Sequence, residues 1–164
     1  SFNPEFAEYV SGEHVEKILS LLQQNYDYVL VDSPSFFHGP IITAMDNSDL
    51  VLIVGTPDLA TIYNLKSCTM VMESLNYSKS KLKLVLNKAN RQYGVRPRDV
   101  ESTLNLSIFC EAPADDKLAL TAVNKGIPFA QSNPEARLSR AVQELAKQLI
   151  NDAGGVGADE RAAN

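Results

Sequence analysis

Apolar residues gather in four short runs: Tyr28-Val29-Leu30-Val31, Leu50-Val51-Leu52-Ile53-Val54, Leu82-Lys83-Leu84-Val85-Leu86 and Ser107-Ile108-Phe109-Cys110. The first two are continuous, β-branched and free of alternation. Strands buried on both faces read this way, and such strands belong to parallel sheets. Elsewhere the period becomes helical. Val15, Ile18, Leu19 and Leu22 fall at i, i+3, i+4 and i+7 behind Ser11, a suitable cap. Thr56-Pro57 predicts a second helix start, with Thr as cap, Pro in the first position, and Leu59, Ile62, Leu65, Cys68, Met72 and Leu75 inward. A short helix is expected after Pro97, with Val100 and Leu104 inward. Another runs from near Asp115 to Lys125-Gly126, with Pro128 beyond. The last starts at Asn133-Pro134 and turns Leu138, Ala141, Val142, Leu145 and Leu149 inward. After Ile150 the chain becomes rich in Gly, Ala and Asp, which predicts a disordered tail over 151–164 behind a folded part at 1–150. Strands alternating with helices give an α/β fold: a mostly parallel sheet flanked by helices, with right-handed crossovers.

Composition narrows the class. At 164 residues and 45% apolar content the chain can bury a real core, and a net charge of −5 is too small for a disordered chain. Its two cysteines, Cys68 and Cys110, form no CxxC or Cys/His cluster. A disulfide scaffold and a structural zinc site are therefore excluded, and a reducing compartment is expected. No apolar run reaches the roughly 18 residues of a membrane span. The opening Ser1-Phe2-Asn3-Pro4, without methionine, reads as a fragment or a processed product.

Charge is uneven. From Lys79 to Arg98 there are seven bases (Lys79, Lys81, Lys83, Lys88, Arg91, Arg96, Arg98) and no acid. Such a run suits phosphate, DNA or another anionic partner. It equally suits lysines that flank an apolar strand and keep it soluble.

Ligands of open α/β sheets bind beyond the carboxyl ends of the strands. The first run ends in Asp32-Ser33-Pro34, a position where a carboxylate can hold Mg²⁺, directly or through water. The second ends in Gly55-Thr56-Pro57-Asp58, which a capped helix start explains. The third ends in Asn87, whose amide both donates and accepts and so suits a base edge, or else forms a turn. The fourth leads to Pro113-Ala114-Asp115-Asp116, a loop placed to back onto a ligand above the sheet.

In order and spacing these residues resemble the second half of the MinD/ParA family of deviant Walker ATPases. Tyr26 to Pro34 looks like the switch II strand, Asn47 to Val54 like the next strand, and Val85-Leu86-Asn87-Lys88 like the adenine-recognition strand. Ala122-Val123-Asn124-Lys125-Gly126-Ile127-Pro128 looks like the family's A-x-N-x-G-x-P ahead of its final helix. The match runs from Glu13 to Ile150. Asn87 to Arg91, Gly94-Val95 and Arg98 to Glu101 are similar to the pilus-assembly CpaE/TadZ branch. The end of the chain is too polar for a membrane-targeting helix.

The resemblance implies a P-loop NTPase-like fold of the SIMIBI class. It implies an ATP-dependent localisation ATPase for Flp/Tad-type pilus assembly, bacterial, cytoplasmic and polar, whose partners are pilus-assembly or polar-localisation proteins. ATP would be sandwiched in a homodimer. Asp32 would be catalytic and hold the Mg²⁺ shell through water; Asn87, Pro113, Ala114 and Asp115 would contact adenine; Asp58 would lie near the dimer face. The alternative is an inert scaffold of the same fold that meets DNA or an anionic partner through Lys79 to Arg98. A dinucleotide-binding protein ranks below both, because no GxGxxG follows a strand.

Two departures stand out. The family's phosphate loop, a glycine-rich turn with two lysines, has no counterpart here, and Gly154-Gly155-Val156-Gly157 lacks the strand, Lys and Thr such a loop needs. Ser35-Phe36-Phe37-His38-Gly39 lacks the glycine expected soon after Asp32; His38 reads as a loop residue, and His14 as a first-turn helix residue. The chain thus looks like the carboxyl-terminal half of such an ATPase, lacking the phosphate-loop strand. Residues 1–164 alone are expected not to hydrolyse ATP. Turnover at a rate typical of enzymes, abolished by Asp32→Ala, would overturn this.

Overall fold

The computed structural model describes residues 10–90 and 94–161, with side chains to Asp152. Arg91 of the basic run and the opening Ser1-Phe2-Asn3-Pro4 lie outside the described residues. The chain divides into two compact units, Ser1–Asp49 and Leu50–Asn164.

The first unit pairs two helices, α1 (Gly12–Gln23) and α2 (Gly39–Asp46). Ser11 is the N-cap of α1, as its sequence predicts, and His14 closes that end: its Nδ1 accepts from the Ser11 backbone N–H at 3.1 Å and lies 3.0 Å from Ser11 Oγ. Leu19, Ala44 and Met45 are buried. The hydrophobic period did not reveal α2, although Pro40 stands in its first turn, where the ring suits the helix dihedrals.

The expected strand over Tyr28–Val31 does not form. Among the described residues this segment has no ladder partner, and Tyr28 and Leu30 are exposed, Leu30 by 88%. A continuous apolar run becomes a strand only where neighbours satisfy its backbone and cover its faces. Asp32 therefore sits in an exposed loop rather than at a strand end.

The second unit is built on a three-stranded sheet in the order β1 (Val51–Gly55), β2 (Leu82–Ala89), β3 (Ile108–Pro113), parallel throughout. Helices α3 (Leu59–Ser74) and α4 (Pro97–Leu104) make the crossovers, followed by α5 (Asp116–Lys125), α6 (Phe129–Ser132) and α7 (Arg137–Arg161). The core is centred on β2. Leu84 and Leu86 are almost completely buried, with Ile53, Val85, Val100, Leu104 and Leu138 around them. At the end of β1, a Cβ on Gly55 would meet the side-chain ends of Leu65 (2.6 Å) and Thr61 (2.9 Å) of α3, so a larger residue there would make those side chains shift.

Helix starts and stripes differ from expectation in detail. Asp58, not Thr56, is the N-cap of α3, because its carboxylate reaches the Thr61 N–H. Leu59 and Leu75 of the expected stripe are exposed, while Thr69 is buried and donates to the Lys66 carbonyl. α4 buries Val100 and Leu104 as expected. α5 ends where Gly126 adopts φ +63°. α7 begins at Arg137, three residues beyond Pro134, and runs past Ile150 as far as Arg161, where a disordered tail is expected. An already nucleated helix adds turns at little cost, and Asp152 is held by Lys83 of β2 at 2.6 Å. No helix among the described residues is long and apolar enough to cross a membrane.

Leu84→Ala should destabilise the protein by about 2–5 kcal/mol in urea unfolding, the usual loss for a fully buried leucine, whereas Leu59→Ala should change stability by less than about 0.5 kcal/mol.

Candidate functional site

Parallel strands end on one edge, so the segments after β1, β2 and β3 emerge side by side. The register pairs Gly55 with Leu86 and Ala89 with Pro113. Asn87, expected at the end of its strand, lies two residues before the end of β2, and it is Ala89 that faces Pro113; both Asn87 and the Pro113-Ala114-Asp115 loop lie toward the carboxyl edge. Asp58 lies on the same edge, two strands from β3. Asp32 belongs to the other unit.

Asn87 is exposed, and its Oδ1 accepts from the Lys88 backbone N–H at 2.9 Å. Lys88 has φ +53°, in the left-handed region. Its ammonium pairs with Asp116 at 2.8 Å, tying the end of β2 to the first turn of α5. Asp115 caps α5 by accepting from the Leu118 N–H at 3.0 Å. Beside this edge opens a cleft lined by Asn90, Glu111, Pro113, Ala114, Arg137 and Arg140. Lys88 and Asp116 stand in segments the sequence singled out, but not as a pair; Arg137 and Arg140 were not singled out, since each meets the cleft only through folding.

Asp58 is occupied structurally. Its Oδ2 accepts from the Thr56 hydroxyl at 2.5 Å and its Oδ1 from the Thr61 N–H at 2.9 Å. These hydrogen bonds, Thr56 first, lower its pKa to about 2. The adjoining loop is held by Gly94, at φ +108°, where a Cβ would come within 2.6 Å of the Pro57 carbonyl; that carbonyl accepts from the Val95 N–H at 2.9 Å. Burial pushes the Cys68 and Cys110 thiols up, which disfavours the thiolate.

Among the described residues the lysines of the basic run are drawn apart by β2. Lys79, Lys81 and Lys83 stand at or before the start of β2 and Lys88 near its other end, within a strand about 26 Å long. Lys83 pairs with Asp152, Lys88 with Asp116 and Arg96 with Asp99.

Among the described residues no group of three or more His, Cys, Asp or Glu side chains is placed to hold a metal ion. Asp32 can offer a single hard carboxylate, which suits a magnesium ion that keeps most of its waters.

No family model matches the chain. Septum site-determining protein MinD of Thermotoga maritima is 26% identical over 147 residues, covering 87% of this chain and 54% of the relative. A ParA family ATPase from Chlorobium tepidum superposes with a TM-score of 0.81 at 18% identity, over 91% of this chain and 60% of the other. The chain is homologous to the MinD/ParA family. Its fold is the P-loop NTPase fold of that family, seen again in MinD from Pyrococcus horikoshii, solved in complex with Mg-ADP (TM-score 0.77, 18% identity, 94% of this chain and 63% of that one). The chain spans about half the length of the curated MinD relative it matches.

Because the folded pKa of Asp58 lies below its unfolded value, the carboxylate stabilises the fold above about pH 4 and that contribution is lost as pH falls toward 2. Acid unfolding followed by circular dichroism should show this loss in the native chain, and Asp58→Asn should flatten the pH 4-to-2 part of the stability curve.

Proposed function

We propose that this chain is part of an ATP-dependent positioning ATPase of the MinD/ParA type, in the branch that serves Flp/Tad-type pilus assembly. The observation that carries the reading is that Asn87, near the end of β2, and Pro113-Ala114-Asp115, at the end of β3, lie toward the same edge of a parallel sheet. An amide with donor and acceptor beside a proline-shaped loop is suited to an adenine edge. The Mg-ADP bound by the Pyrococcus horikoshii relative supports an adenine nucleotide as the ligand class.

In this reading Asn87 orients the base through its amide, and the Pro113–Asp115 backbone closes on the ring. Asp32 would hold a magnesium ion through its waters, and the chemistry that ion would supply is neutralisation of phosphate charge. The lysine-bearing phosphate loop would come from sequence other than these 164 residues. The complete ATPase acts as an ATP-sandwich homodimer whose lifetime hydrolysis controls, at a cell pole, where it organises pilus-assembly proteins. Asp58 contributes there by shaping the loop ahead of α3 rather than by touching nucleotide.

Calorimetric titration with ADP tests the reading. Asn87→Ala should weaken ADP binding about tenfold, the loss of one base-edge pair, with the thermal unfolding midpoint of the free protein unchanged. Equal ADP affinity in the two proteins would overturn it.

A further inference from the structure

The end of β2 is irregular in a specific way. Leu86 pairs with Glu111 and Ala89 with Pro113, so three steps along β2 match two along β3. The extra residue makes a β-bulge at Asn87-Lys88, and Lys88 takes the left-handed conformation there, φ +53°. A non-glycine residue in that region is uncommon, and bulges often serve to re-aim a side chain. Here the bulge turns the Lys88 N–H onto Asn87 Oδ1 at 2.9 Å.

We propose that this bulge makes Lys88 a positioning residue that locks the Asn87 carboxamide in one of its two orientations and so selects adenine over guanine nucleotides. The inference rests on the base-edge reading of Asn87 above. A carboxamide has an oxygen with two lone pairs and an NH₂ with two donors. One lone pair is taken by the Lys88 N–H, leaving the other lone pair and the NH₂ for a ligand. Rotating the amide by half a turn would set its NH₂ against the Lys88 N–H, donor against donor, and forfeit that hydrogen bond. The orientation matters because the two purines present opposite orders. Adenine offers an exocyclic N–H donor beside a ring-nitrogen acceptor. Guanine offers an exocyclic oxygen acceptor beside a ring N–H donor. A free amide could flip to suit either ring, whereas the locked one suits only the first. The Lys88–Asp116 ion pair steadies the same turn from its other side, although both groups are exposed and the pair alone is weak.

Two measurements test this. The first compares binding of ADP and GDP to the native chain, Lys88→Gly and Lys88→Val. Glycine adopts the left-handed conformation freely and keeps the N–H; a β-branched residue resists it. Lys88→Gly should keep the ADP preference within about twofold, and Lys88→Val should reduce it about fivefold or more, as expected for loss of one oriented hydrogen bond. The opposite order, or an unchanged preference in Lys88→Val, overturns the lock. The second needs neither nucleotide nor the valine variant. Hydrogen exchange at the Lys88 amide should be slow in the native chain and several-fold faster in Asn87→Ala; fast exchange in the native chain overturns the lock. If Asn87→Ala leaves ADP affinity unchanged, the base-edge reading itself fails and the selection goes with it. If Asn87→Ala weakens ADP binding while the Lys88 variants behave alike, only the lock fails.

Discussion

The parallel pairing of β2 with both of its neighbours is the constraint on which the second unit depends. A parallel ladder forces every strand to run the same way, so each crossover helix must return the chain to the opposite edge. β2 has a strand on each side, and its residues Leu84 and Leu86 are the most deeply buried leucines of the core. Once those side chains are covered, the residues after each strand have no choice but to gather on one rim. Asn87, Pro113 and Asp58 share that rim because of strand direction, not because of any attraction among them.

This explains which parts of the structure could be seen in the sequence. β1 was legible as an uninterrupted apolar run, and β2 and β3 as shorter apolar clusters, Leu84-Val85-Leu86 and Ile108-Phe109-Cys110, between helical stretches. α4 and α5 were legible because Pro97 and Gly126 mark a start and a stop. Tyr28–Val31 misled, since its composition describes a strand in a complete sheet, and composition is silent on whether a neighbour is at hand. α2 was missed because eight residues give barely two turns, too few for a period to emerge. The start of α3 was placed two residues early because Thr56 and Asp58 are both good caps, and only geometry shows that Thr56 donates its hydroxyl to the true cap.

The site was half legible. Residue types at strand ends pointed to Asn87 and to Pro113-Ala114-Asp115 before any fold was known. What spacing could not express is how such residues are held. The Lys88–Asp116 pair spans 28 positions of sequence, and the left-handed turn at Lys88 has no signature in a lysine. The basic run illustrates the converse. Charges close in sequence are drawn apart once an extended strand passes between them, with Lys79, Lys81 and Lys83 toward the start of β2 and Lys88 toward its end, so linear charge density overstated their proximity.

The outer edge of β1 carries a consequence of its own. Val51–Gly55 pairs with β2 on one side, and among the described residues no strand lies on the other. Natural sheets commonly protect such an edge with lysine, proline or a bulge, and Leu52, Ile53 and Val54 supply none of these. The backbone groups on that side form a template matched to any extended apolar segment. An extended segment that met this edge would extend the sheet by main-chain pairing alone, whatever its sequence.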